Sequence, residues 1–351
     1  MRDVAVVSFA QARNVRRENR RNEVEMLIPV VKEAVEKSGI PKREIGFTCS
    51  GSSDYLAGQS FSFVMAVDSL GAWPPIMESH VEMDGAWALY EAWLKIQCGE
   101  VDSALVFCFG RSSPGRLRET LTLQLDPYTL GPLAPDPVSL AALQARALLE
   151  STNHTEREMA EIAARSRRDA KANEFAQLQG DFDVDALLDA PYFVSPLRVH
   201  DCPPISDGAA AVVLAADDVA RKACEKPAWI RGIDHRVESH YPGVRDLSRS
   251  PSTRLAAEKA GVDAARLDAA ELHAPFSHQE LILRDALGIG DDVAVNRSGG
   301  ALAANSIMVA GLTRIGEAAN QIWRGEAGRA LAHATSGPCL QQNLVCLLEG
   351  E

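Results

Sequence analysis

No apolar run in the 351-residue sequence approaches the ~20 residues of a membrane span, so no bilayer-crossing helix is expected. The N-terminus opens Met-Arg-Asp and soon meets charge, without the apolar core of a secretory signal. Cysteine is sparse. The seven residues stand at 49, 98, 108, 202, 224, 339 and 346, and no two form a CxxC pair. Neither a disulfide frame nor a zinc ribbon is indicated, so a reduced, cytoplasmic protein without a metal is expected. There is no Walker loop and no GxGxxG, which leaves no argument for nucleotide hydrolysis or nicotinamide chemistry. Positive charge is in deficit, with 36 Lys and Arg against 48 Asp and Glu and a net charge of −12. That balance argues against a bulk nucleic-acid binder.

What is there reads as globular. Hydrophobic residues make up 46% and charged residues 24%, and the length fits two units or one large duplicated fold. Short apolar runs at 3–9, 102–109 and 209–216 suit buried strands. Helical spacing occupies 23–37, 138–150 and 156–172. The second half repeats the theme. Strands are expected at 228–234, 268–273, 330–334 and 343–350, and helices near 253–260 and 306–324. Strands alternating with helices predict an α/β fold with sheets covered by helices.

Two internal matches support duplication. AVEKSGIPKREI (34–45) resembles AAEKAGVDAARL (256–267), and GAWALYEAWLKIQCGE (85–100) resembles GLTRIGEAANQIWRGE (311–326). The offsets are nearly equal, and generic amphipathic helices would not share one. The predicted division is a first half over 1–222 and a second over 223–351, with an insertion at about 111–205. An insertion of that size is more often functional than inert.

Four segments together resemble the thiolase superfamily, in its sterol-carrier-protein, lipid-transfer branch. They are PPISDGAAAVVLA (203–215), RRDAKANEFAQ (167–177), LHAPFSHQEL (272–281) and VNRSGGALAANS (295–306). The resemblance covers nearly the whole chain. It implies a thiolase-like fold of two duplicated α/β halves in a five-layered αβαβα core, with an inserted loop domain. It also implies an acyl-CoA thioester as ligand, coenzyme A arriving as part of the substrate.

The resemblance also shows what has been replaced. Where the family has its nucleophilic cysteine, VEMDGAWAL (81–89) puts Glu82. The Gly-His-Pro loop is gone, and Asn305 and Ser306 stand nearby. The branch's second cysteine falls at Pro275, and that of other thiolases at about His333. The family's oxyanion residue survives as His273. Thiolase catalysis needs a thiolate held by a helix dipole and an imidazole, and none of these stations offers a thiol.

Several readings stay open at single residues. Glu82 is either a general base or a first-turn carboxylate favoured by the helix dipole. Asp84 reads as a first-turn carboxylate. His273, at a strand end, is an acid–base or oxyanion residue, or else a core histidine. His333, ending its strand before a Thr-Ser-Gly-Pro turn, has the same two readings. Asn305 is a donor to a thioester oxygen or an N-cap. His278 is expected on the surface at the start of the next helix. Cys339 is a buried apolar residue or a displaced nucleophile. The arginines of 13–21 read as a solvated face or a subunit contact. Arg165, Arg168 and Lys171 lie on the insertion helix where, by the resemblance, coenzyme A phosphates dock.

Three functions follow from the resemblance. The first is carbon–carbon lyase action, the retro-aldol cleavage of a β-hydroxyacyl-CoA known from steroid side-chain aldolases of this branch. Those enzymes use tyrosines as acid and base, and this chain has none after Tyr241. The second is a non-catalytic subunit paired with another thiolase-like chain. The third is an acetyl-CoA acyltransferase with a relocated nucleophile. The expected partners are a second thiolase-like chain, in a homodimer or heterodimer, and a small OB-fold (DUF35-like) protein.

Overall fold

The protein is described by a computed structural model covering residues 2–351. The strands are β1 (Val4–Gln11), β2 (Phe47–Gly51), β3 (Glu78–Val81), β4 (Ser103–Arg111), β5 (Tyr192–Val194) and β6 (Leu197–Arg198) in the first part of the chain. They continue as β7 (Asp207–Ala216), β8 (Ala228–Val237), β9 (Ala269–Leu272), β10 (Ala294–Val295), β11 (Arg329–Ser336) and β12 (Gln342–Glu349). β5 and β6 form a small ribbon in the insertion. The other ten make one mixed sheet in the order β10-β9-β11-β12-β8-β1-β7-β4-β2-β3.

That sheet is two copies of one pattern. Each half runs third, second, fourth, last and first strand from its outer edge, with parallel pairs outside and antiparallel pairs inside. The copies meet at β1 and β8, which share only the pairs Ala5↔Trp229 and Val6↔Ala228. β1, β4 and β7 are buried almost end to end, which is why they read as unbroken apolar runs rather than alternating ones.

The core is layered. In the middle, the helices Gly85–Gln97 and Ala310–Trp323 pack Leu89, Ala92, Leu312 and Ile315 against alternate residues of both half-sheets, including Val106 and Ala332. Outside the first half-sheet, the helix Glu23–Ser38 covers Ala5, Val7 and Phe107 with Leu27, Val30 and Val31. Its start is fixed by the Asn22–Glu25 capping box and its end by Gly39 at φ 67°. Outside the second half-sheet, the helices Pro251–Lys259 and Ser277–Leu287, with insertion helices Pro137–Ser151 and Glu156–Asp169, close over Leu331, Val345 and Leu347. Two glycines permit the closeness. A Cβ on Gly316 would lie 2.3 Å from the Phe9 ring, and one on Gly110 would lie 2.0 Å from the Ile307 carbonyl.

The structure departs from the sequence reading in two places that matter for the site. The last central helix starts at Ala310, not 306, because Met308 turns into the left-handed region at φ 72° and holds the preceding residues as a loop. The strand carrying His333 runs on to Ser336, since its ladder with β12 continues through Thr335↔Asn343 and Ser336↔Gln342. His333 is therefore inside a strand, not at its end. Among the described residues, no helix is long and apolar enough to cross a membrane.

Candidate active site

The N-termini of the two central helices converge on one buried carboxylate. Asp84 caps its own helix by accepting the Ala86 N–H at 2.9 Å. It also accepts the N–H groups of Gly311 at 2.9 Å and Leu312 at 3.0 Å, in the first turn of the other helix. Burial pushes its pKa up, against the pull of the three N–H donors. Asp84 is thus a shared N-cap, not the first-turn carboxylate expected from the sequence.

His273 lies just beyond β9 with its Nε2 3.1 Å from Asn305 Oδ1. The Thr335 N–H approaches its Nδ1 at 3.3 Å. A backbone N–H can only donate, so Nδ1 is the acceptor and Nε2 carries the proton. Asn305 Oδ1 then receives that proton's hydrogen bond, and its NH2 is the end left for another acceptor. The Asn305 backbone N–H is itself anchored to Ser206 Oγ at 3.1 Å. Desolvation lowers the His273 pKa to about 3, despite the Asn305 bond. The ring is neutral at pH 7.

His333 is joined to this pair through the backbone, its carbonyl accepting the His273 N–H at 3.1 Å. Its ring is fully buried. Nε2 lies 3.0 Å from Asn343 Oδ1, and Nδ1 has no partner. Desolvation lowers this pKa to about 4. Of the four residues singled out for catalysis, the structure therefore brings three together: His273, Asn305 and His333.

Glu82 stands apart. β3 ends at Val81 and the chain turns through two more residues before the Asp84 cap, so Glu82 precedes the helix rather than opening it. Its half-exposed carboxylate accepts the Asp54 N–H at 2.7 Å and meets His80 Nε2 at 3.3 Å. His80 in turn reaches Ser50 Oγ at 3.0 Å and stacks on Phe63. Among the described residues, no hydrogen bond links Glu82 to His273, Asn305 or His333.

His278 differs from its expected place, while Cys339 takes the first of its two readings, a buried apolar residue. His278 is completely buried, with Nε2 3.2 Å from Gln144 Oε1 and a pKa lowered by desolvation to about 3. The insertion helix Pro137–Ser151 covers it, which its position at a helix start did not reveal. Cys339 packs with Leu125 and Leu140, donates its thiol to the Leu140 carbonyl at 3.4 Å, and has a pKa pushed up by burial to about 11. Such a thiol is a poor nucleophile.

The insertion helix Glu156–Asp169 borders a groove of about 520 Å³ against the helix Ser277–Leu287. Arg165 and Arg168 line it together with Phe182, Leu281 and Arg284. Arg165 is neutralised by the buried Glu280, at 2.5 and 2.6 Å. Arg168 is 61% exposed beside Asp169 at 3.2 Å. Lys171 lies past the helix end and pairs with Asp181 at 2.6 Å. In the basic run, Arg13, Arg16, Arg17 and Arg20 are exposed, while Arg21 pairs with Glu18 at 2.7 Å.

Sequence reasoning missed the polar frame beneath the site. Glu271 and Arg314 form a buried pair at 2.9 Å. Glu271 also accepts from Ser298 N and Oγ and from Gln321, which pins the Asn-Arg-Ser-Gly-Gly loop. Asn343 was missed too. Its signal was a polar residue next to the apolar run Leu344–Leu348 of its strand.

The chain shares this architecture with known proteins. One solved structure, described as "Ltp2-ChsH2(DUF35) aldolase", superimposes with a TM-score of 0.82 over 99% of this chain and 98% of that one, at 18% identity. The chain is thiolase-like. It is 30% identical over 217 residues to an acetyl-CoA acetyltransferase of Methanothermobacter thermautotrophicus, covering 54% of this chain and 56% of that protein. It is 26% identical over 339 residues to sterol carrier protein 2 of Bos taurus, covering 84% of this chain and 61% of that protein. The matches thus span less than two thirds of either relative. No family model matches the chain.

Proposed function

We propose that this thiolase-like chain is a carbon–carbon lyase that cleaves a β-hydroxyacyl-CoA, as in lipid or steroid side-chain degradation. The carrying observation is a neutral, buried His333 with an unpartnered Nδ1, whose carbonyl accepts the N–H of His273, the residue hydrogen-bonded to Asn305. His333 Nδ1 takes the β-hydroxyl proton, and the β-carbon becomes a carbonyl as the Cα–Cβ bond breaks. The released electron pair forms a thioester enolate, whose oxygen accepts a hydrogen bond from Asn305 Nδ2. The proton then passes to Cα. His273 orients Asn305. No thiol is required, which fits the absence of cysteine at each thiolase station and the high pKa of Cys339. The groove holding Arg168, with Lys171 nearby, supports a coenzyme A phosphate site there. Arg165, tied to Glu280, supports it only as a fixed wall.

The near-complete burial of His273 and His333 supports a second reading, a non-catalytic subunit completed by a partner. The unpaired edge of β3, with the exposed Phe61, Trp73 and Met77 close in sequence, favours association with a second thiolase-like chain. The DUF35 component in the aldolase's description makes a small OB-fold protein the other partner to test.

The deciding experiment assays β-hydroxyacyl-CoA and β-ketoacyl-CoA with the chain alone and with each partner. The lyase reading expects aldehyde or ketone release that falls about 10²–10⁴-fold in His333→Gln, the range of a lost general base, and persists in Cys339→Ala. Thiolysis lost in Cys339→Ala overturns it. Cleavage that needs a partner and ignores both His333→Gln and Asn305→Ala selects the subunit reading.

A further inference from the structure

His333 heads a hydrogen-bond chain whose direction is set from its far end. Glu238, half-buried at the other end, accepts a hydrogen bond from the Ser252 hydroxyl and another from the Ser252 N–H at 3.2 Å. A carboxylate only accepts, so the Ser252 hydroxyl proton is committed to it. Ser252 Oγ must therefore accept from Asn343 Nδ2, which at 2.7 Å is closer to it than its remaining neighbour, Ser250 Oγ at 3.5 Å. A second, independent anchor agrees. The Leu340 carbonyl, also an acceptor only, lies 2.8 Å from the same Nδ2. Both place the NH2 of Asn343 away from His333 and its Oδ1 toward the ring. His333 Nε2, 3.0 Å from that oxygen, must carry the proton.

The Leu340 anchor is held in place by a constrained loop. Cys339 and Leu340 both sit in the left-handed region, at φ 55° and 56°. The Arg245 guanidinium clasps the carbonyls of Pro338 at 2.9 Å and Cys339 at 3.0 Å. The loop thereby presents the Leu340 carbonyl to Asn343 rather than to solvent.

We infer that Asn343 is a positioning residue that holds His333 in the Nε2–H tautomer and leaves Nδ1 as the proton-accepting atom. This deepens the lyase reading by naming the residue that keeps Nδ1 unprotonated, and it rests on that reading only for the proton's destination. It accounts for His333 Nδ1 as a fully buried ring nitrogen without a partner, since a bare lone pair is what a base must keep free. An amide oxygen behind Nε2, in place of a carboxylate, leaves the imidazolium without a counter-charge. The ring would therefore release its proton again rather than trap it.

The test is a long-range ¹H–¹⁵N spectrum of the ¹⁵N-histidine-labelled full chain at pH 7, with His333 assigned by loss of its signals in His333→Gln. The expected pattern is a pyridine-like Nδ1 and a pyrrole-like Nε2. A pyrrole-like Nδ1 in the unmodified protein overturns the inference, whatever the variants do. Asn343→Asp, which keeps an acceptor, should retain the tautomer and shift the His333 titration upward. Asn343→Leu should broaden the signals into exchange between tautomers. An unchanged tautomer in a folded Asn343→Leu would refute the positioning role. The spectrum is read without substrate. An inactive protein with the expected tautomer sinks the lyase reading alone, and an active one with the wrong tautomer sinks this inference alone.

Discussion

The backbone N–H of Leu312 donates to the carboxylate of Asp84 at 3.0 Å, across 228 residues of sequence. One carboxylate thus closes the N-terminal turns of two helices that belong to different halves. Asp84→Ala removes an N-cap, worth about 1 kcal/mol, and strands buried N–H donors at about 1–3 kcal/mol. A total loss of about 3 kcal/mol is expected on those terms, read as a lower urea midpoint at an unchanged slope. Asp84→Asn keeps one acceptor oxygen and should lose less. A loss below 1 kcal/mol in Asp84→Ala would mean that the two helices are held by their apolar contacts alone.

Three buried histidines make the protein acid-sensitive. His273 and His278 have pKa values near 3 and His333 near 4, all lowered by desolvation from 6.5. A depressed folded pKa contributes stability that is fully present above 6.5 and is lost as pH falls toward 4 and 3. Each histidine contributes a slope of about 1.4 kcal/mol per pH unit in that window, so about 4 for the three. Asp84 and Glu271 act with the opposite sign. Their folded pKa values are raised by burial, so their contribution is greatest at low pH and fades as pH rises through those values. His278→Leu isolates the histidine effect and should remove about a third of it. Urea titrations of the unmodified protein and His278→Leu at pH 7, 6 and 5 read the slope, and equal slopes in the two would show that the His278 ring takes up its proton as readily in the folded as in the unfolded state.

The Glu271–Arg314 pair should respond unequally to single and double changes. Removing one partner leaves a buried charge uncompensated, so Glu271→Met or Arg314→Met alone is expected to cost about 3–5 kcal/mol. The double variant should recover much of that loss, because both desolvation penalties disappear together. Ser298 and Gln321 would still lose an acceptor, so recovery stays incomplete. Strictly additive losses would show that the pair is not coupled.

Much of the scaffold was legible because it is written in local patterns. The runs at 3–9, 102–109 and 209–216 are apolar without alternation, and each is a central strand buried on both faces. The short strands β2, β3 and β10 escaped notice because four or five residues, or two, carry too little periodicity. The site was legible only as a set of residues. The sequence singled out His273, Asn305 and His333, but not that Thr335 and Asn343 decide which ring nitrogen bears the proton. Those are long-range contacts, and hydrogen-bond direction has no sequence signature. Glu82 misled because a motif alignment fixes a station along the chain, whereas its carboxylate is turned toward Asp54 and His80. His278 misled because helix starts are usually exposed, and here the insertion covers one.

The two half-sheets share one strand order yet touch along only two residue pairs. Their bond is therefore made in the helical layer between them, around Asp84 and Gly311. The copies have also ceased to be equivalent, since every histidine and amide of the candidate site comes from the second. A saturating mutational map should reflect that history with a lopsided profile. Changes in the second copy would alter the reaction directly, while changes in the first would act mainly by loosening the frame that its twin now depends on.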